Sequence, residues 1–120
     1  MCNFGSFQPY FAGHGFACIR VDSRGTGDSE GDFDDEYSEL QQQDGVDVVE
    51  WAAGQAWSNG DCGLMGCSWG GFIAMQVAAK KPAGLKAIIA VCATDQRLED
   101  DMHFEGARPH NMDYPPKIWP

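Results

Sequence analysis

Two short apolar runs with an apolar helix-like segment between them limit this chain more than anything else in it. The runs are Cys62–Ser68, "CGLMGCS", and Leu85–Ala93, "LKAIIAVCA". Both have strand length, and neither alternates strictly between apolar and polar residues. Strands of that kind belong to parallel sheets covered on both faces. The segment between them, Trp69 to Lys81, is apolar almost all round through Phe72, Ile73, Ala74, Met75, Val77 and Ala78. It predicts a buried helix, ending at Lys80-Lys81-Pro82: cations in the last turn, then a residue that cannot continue it. Two parallel strands joined by a helix form one crossover unit.

A third run, Phe16–Asp22 ("FACIRVD"), is bounded by His14-Gly15 and a glycine-rich loop and predicts another strand. A second helix is predicted from about Asp35 to Gln55, with Leu40, Val48, Trp51 and Ala52 on one face. Acidic residues crowd its start, where the helix dipole favours them. The fold class is therefore α/β: three parallel strands with intervening helices, β-α-β-α-β, in the order first, second, third along the sheet. The proline-rich tail from Arg108 shows no periodicity and predicts irregular structure. With 120 residues the chain holds at most one domain. Both outer strands would expose pairing edges. The expectation is a core segment of a larger α/β protein, which alone folds poorly and aggregates.

The formal net charge of -10 argues against nucleic acid, whose phosphates need basic patches, and against anionic membrane surfaces. No apolar stretch approaches the roughly 20 residues that span a bilayer, and the N-terminus lacks the basic and apolar regions of a secretory signal. The cysteines are Cys2, Cys18, Cys62, Cys67 and Cys92, an odd number without zinc or disulfide-framework spacing. Cys18, Cys67 and Cys92 lie in apolar runs, which predicts small buried hydrophobes. Reduced thiols in a cytoplasmic protein, with no metal and no cofactor, are the expectation.

Chemistry concentrates in "GLMGCSWGGF", residues 63–72. Gly66-Cys67-Ser68-Trp69-Gly70 matches G-x-S-x-G between a predicted strand and a predicted helix, the context that gives the pattern meaning. A nucleophilic serine must leave the strand end on a very sharp turn so that its hydroxyl stands free. Gly66 and Gly70 are expected to remove backbone collisions there, with Ser68 itself strained. The backbone N–H of Trp69, at a helix start, is placed to stabilise an oxyanion. Gly71 would let the helix pack close to the sheet. Cys67 is a competing nucleophile on paper, but its position predicts a core side chain. The alternative to all this is a glycine-rich turn with no chemistry.

Several segments in order resemble the α/β-hydrolases of the cocaine esterase and X-prolyl dipeptidyl-peptidase type. "YFAGHGFACIRVDSRGTGDSEG" is similar to a helix end leading into a strand and an R-G-x-G-x-S-x-G loop, matched by Arg24, Gly25, Gly27, Ser29 and Gly31. "DGVDVVEWAAGQAWSNGDCGLMGCSWGG" resembles the next helix and the nucleophile elbow, and "LKAIIAVCATDQRLEDDMHF" the strand and loop after the elbow helix. Residues 10 to about 104 are covered, and about 105–120 are not. The resemblance implies a serine acyl hydrolase with Ser68 as nucleophile, the Trp69 N–H as oxyanion donor, and a small ester or peptide as substrate. The family's second oxyanion donor is a tyrosine upstream of this segment, a role that does not fall to Tyr10. The family's acid and histidine lie well after the elbow, so this chain is expected to lack both and to be inactive alone. The intact protein could form a homo-oligomer.

Ser68, Asp95 and His103 do stand in the order Ser…Asp…His. Asp95 follows a strand end, where active sites form. Only eight positions separate it from His103, though, and the histidine normally follows a later strand, so this compact triad is the weaker reading. His14 and His110 read as turn and tail residues. Gly25, Gly27 and Gly31 do not match a dinucleotide fingerprint, and the surrounding acids would repel a pyrophosphate. Asp28, Glu30, Asp32 and Glu39 fit four EF-hand positions, but Phe33 stands where glycine is needed and no helix precedes. Two classes of function remain: the nucleophile-bearing core of a serine acyl hydrolase, or a non-catalytic truncated segment with a structural or associative role.

Overall fold

The computed structural model describes residues 7–100 and, as short strands, 104–105 and 108–109. The elements are α1 (Phe7–Gly13), α2 (Glu39–Ala53), β1 (Cys62–Cys67), α3 (Trp69–Ala79), β2 (Leu85–Val91), α4 (Arg97–Asp100), β3 (Phe104–Glu105) and β4 (Arg108–Pro109). β1 and β2 pair in parallel, from Cys62 opposite Leu85 to Cys67 opposite Val91, with α3 as the crossover. β3 and β4 form a two-residue antiparallel pair, with β4 at the start of the segment from Arg108 that was expected to be irregular.

The parallel sheet has two strands among the described residues, not three. Phe16–Asp22 is not a strand. Its β-branched residues suit a pleated surface, but a strand exists only where another backbone supplies the ladder. Here the Phe16 N–H is taken by the Phe11 carbonyl of α1, and the Asp22 carbonyl accepts the Ser29 hydroxyl. Phe16, Ile19 and Val21 stand 62%, 44% and 53% exposed, so no sheet surface covers them.

The core lies where α2 and α3 meet one face of the sheet. Val46, Val49 and Val77 form its centre, with Cys62, Leu64, Ile73 and Leu85 packed against it. Val77 is fully buried, a contribution of roughly 1.5–3 kcal/mol from its side chain. The helices approach closely at Gly45, where an added Cβ would come within 2.5 Å of Val77 Cγ2. The buried stripe of α2 is therefore Val46, Val49 and Ala52, whereas Leu40 and Trp51 are exposed. α2 has apolar residues on two flanks, and contact with Val77 selects one; Trp51 instead meets Trp57 edge-on at 6.3 Å. The other face of the sheet is open among the described residues, with Met65, its register partner Ile89, and Val91 exposed. Cys18 and Cys92 are also exposed, because the strand expected around Cys18 does not form and Cys92 lies past the end of β2.

α2 begins at a cap. Ser38 is extended and its hydroxyl accepts the Gln41 N–H at 3.1 Å, satisfying one helix-start donor. The same hydroxyl donates to Asp34 at 3.0 Å. Hydrogen bonds from the Asp35 backbone N–H and then from Ser38 hold the Asp34 carboxyl below its ordinary range. The glycine-rich loop is tied to α2 by Arg24, which donates from Nε and Nη2 to the two carboxylate oxygens of Asp44 at 2.9 and 2.5 Å. That pairing raises the Arg24 pKa further.

Candidate active site

β1 hands the chain to α3 through one residue. Ser68 has φ 54° and ψ −120°, far from both strand and helix. A non-glycine residue at positive φ stores strain, which persists only if its surroundings hold it. The Ser68 N–H donates to the Val91 carbonyl at the end of β2, at 2.8 Å, and the Ser68 carbonyl accepts the Phe72 N–H of α3, at 3.0 Å. Its hydroxyl makes no capping bond to the helix, and the residue is exposed. Trp69 is the first residue of α3, so its own N–H has no intrahelical acceptor.

Two glycines make the turn feasible. A Cβ on Gly66 would overlap the Gly70 backbone at Cα, C and O. A Cβ on Gly71 would stand 2.8 Å from Ala93 Cβ and 3.0 Å from the Val91 carbonyl, so α3 packs as close to β2 as expected. Gly70 differs from expectation: a Cβ there meets nothing within 4 Å. The collision belongs to the first glycine of the motif, whose missing side chain leaves room for the backbone of the second.

Because β1 and β2 are parallel, Ser68 and the Cys92–Gln96 loop leave the same end of the sheet. Asp95 lies in that loop, exposed, with no hydrogen bond or ion pair among the described residues. His103 lies outside the described residues. His14, the one histidine within them, is paired through Nδ1 with the Tyr10 carbonyl at 2.7 Å on α1. No base is therefore brought to Ser68 among the described residues. Cys67 is half-buried in β1 opposite Val91. Cys67→Ala is expected to leave labelling of Ser68 by a fluorophosphonate largely intact; a loss as large as that of the serine variant would make the thiol the nucleophile. Asp28, Glu30 and Asp32 gather no metal-ligand group, and no three His, Cys, Asp or Glu side chains do so among the described residues.

Sequence reasoning missed the group behind the elbow. The Trp69 indole meets Phe33 and Tyr37 edge-on at 5.6 and 6.2 Å, and Tyr37 meets Phe72 at 5.6 Å. The Arg97 guanidinium lies over Tyr37 at 4.4 Å and over Phe72 at 5.0 Å. Gln41 Oε1 accepts the Trp69 indole N–H at 3.2 Å. The spacing Ser38-x-x-Gln41 is a legible capping signal; contacts between distant segments carry none.

A strand, a strained exposed serine and a helix follow one another directly here, a strand–turn–helix junction of the kind that α/β folds build. The chain belongs to the X-Pro dipeptidyl-peptidase (S15) family, whose profile matches residues 4–115. It is 34% identical over 106 residues to a "Putative Xaa-Pro dipeptidyl-peptidase" of Bacillus anthracis, covering 76% of this chain and 17% of that protein. It is 31% identical over 96 residues to a "Putative serine esterase" of Mycobacterium bovis, covering 80% and 15%. It is 36% identical over 78 residues to the cocaine esterase of a Rhodococcus species, covering 65% and 13%. The chain thus spans less than a fifth of the length of these relatives. No solved structure matches it. No helix among the described residues is long and apolar enough to cross a membrane.

Proposed function

We propose that this chain carries the nucleophile elbow of a serine acyl hydrolase acting on small esters or X-prolyl peptides. The observation that carries the reading is the Ser68 backbone, φ 54° and ψ −120°, at the junction of β1 and α3. Ser68 Oγ attacks the substrate carbonyl carbon while a general base takes its proton. The carbonyl oxygen becomes an oxyanion facing the Trp69 N–H, which needs no reorganisation to stabilise it. The tetrahedral species expels the alcohol or amine, which leaves with the proton from the base. Water then attacks the acyl-serine by the same route, releasing acid and free Ser68. Nothing in this sequence of steps calls for a cofactor.

In this reading base and acid come from other segments of a protein of the relatives' length, of which this chain spans less than a fifth. The four cysteines among the described residues, all reduced thiols, accord with a cytoplasmic protein. The test compares fluorophosphonate labelling of residues 1–120 alone with that of a protein of the relatives' length bearing this chain. The long form is expected to label at Ser68 and the short form poorly, since a serine hydroxyl without a base is a weak nucleophile. Fast labelling of the short form, lost on His103→Ala or Asp95→Asn, would instead establish the compact triad.

A further inference from the structure

The strain in Ser68 is held on one side by β2, through the Val91 carbonyl. On the other side stands Trp69, whose peptide N–H is the proposed oxyanion donor and whose side chain reaches away to α2. There the indole N–H meets Gln41 Oε1 at 3.2 Å, across 28 positions of sequence. The same oxygen accepts the Tyr37 N–H at 2.9 Å. Both partners are donors, so the amide oxygen must face them and the amide NH2 must point away. Gln41 is itself fixed, because its backbone N–H is held by the Ser38 hydroxyl in the cap of α2. Tyr37, a bulky residue at φ 60°, is pinned from both ends of its residue, by Gln41 at its N–H and by Gln42 Nε2 at its carbonyl, 2.9 Å.

We infer that Gln41 is a positioning residue for the oxyanion site: by holding the Trp69 indole it fixes the peptide plane that carries the Trp69 N–H. The inference rests on the hydrolase reading above. An oxyanion donor is effective only where it already points at the place the charge will form, and losing one outright costs about 10²–10³-fold in kcat. A donor that is merely freed to wander loses part of that.

The test uses a protein of the relatives' length bearing this chain and an activated ester. Gln41→Met keeps the side-chain length and removes the acceptor; kcat is expected to fall roughly 10- to 100-fold with KM within about twofold. Affinity for a boronic acid that mimics the tetrahedral species should fall by the same factor as kcat/KM. Gln41→Glu keeps an acceptor oxygen and should recover most of the loss. Trp69→Phe removes the indole N–H but keeps the backbone N–H. It should reproduce the loss in kcat, and the double variant should add little to it, because both changes break the Trp69–Gln41 bond; the Tyr37 N–H that Gln41→Met also leaves without its acceptor bears on stability. If Gln41→Met does not fold, Trp69→Phe and its boronate affinity decide the question. A kcat unchanged in the variants, or losses that multiply fully in the double variant, would overturn the inference. Ser68→Ala separates the two levels: if it retains turnover the elbow reading falls and the inference with it, whereas if only the Gln41 and Trp69 variants are silent, the inference alone falls.

Discussion

Ser68→Ala is expected to abolish fluorophosphonate labelling and to lower ester turnover by about 10⁴- to 10⁶-fold in a protein of the relatives' length, as loss of a nucleophile does elsewhere. The expectation rests on position. Ser68 is exposed, its hydroxyl is not spent on capping α3, and its backbone is held at positive φ from two directions. Alanine keeps the backbone partners and removes only the oxygen, so thermal stability should change little. Activity loss with stability retained marks a chemical role; comparable losses of both would mark Ser68 as a structural turn residue.

Gly66→Ala is expected to damage both fold and chemistry. The added methyl would lie on the Gly70 backbone, and backbone cannot swing aside as a long side chain can. Relief requires moving the start of α3 off the end of β1. Overpacking of this kind costs about 1–3 kcal/mol or more. A displacement near 1 Å also moves Ser68 Oγ and the Trp69 N–H apart, worth about 100-fold in rate. Urea midpoint and labelling rate should fall together. Gly70→Ala is the control: its Cβ enters open space in the first turn of a helix, where alanine is favoured over glycine by up to about 1 kcal/mol. Labelling should survive it. Equal damage from the two variants would show that the turn is crowded by something other than the Gly66–Gly70 contact.

Much of the elbow was legible because it is local. Near-unbroken apolar runs at 62–68 and 85–93, an apolar segment between them and glycines around a serine all act within a few residues of each other. The strand–turn–helix sequence at β1 and α3 followed, as did the parallel pairing across a crossover and the close packing of Gly71 on β2. Phe16–Asp22 has the same composition, and there local reading failed. Pleat-compatible residues become a strand only when another backbone lies alongside, and that is a property of the fold, not of the segment. The helix face failed for a related reason. Val48, Trp51 and Ala52 read as one stripe, but the neighbouring stripe of Val46, Val49 and Ala52 is the one that meets Val77.

What the sequence alone determined is the kind of site: a serine forced through a sharp turn between a buried strand and a helix, in a family recognisable from several motifs in order. Those features depend on residue size and on near-unbroken apolar runs of strand and helix length, which adjacent residues set among themselves. What only the tertiary structure decided is how the turn is held. The Val91 carbonyl, the Gln41 amide oxygen and the Phe33 and Tyr37 rings against Trp69 come from parts of the chain more than 20 residues away from Ser68 on either side. A hydrogen bond between distant segments leaves no pattern at either end, because each partner is an ordinary residue until packing brings the two within 3 Å or so of each other.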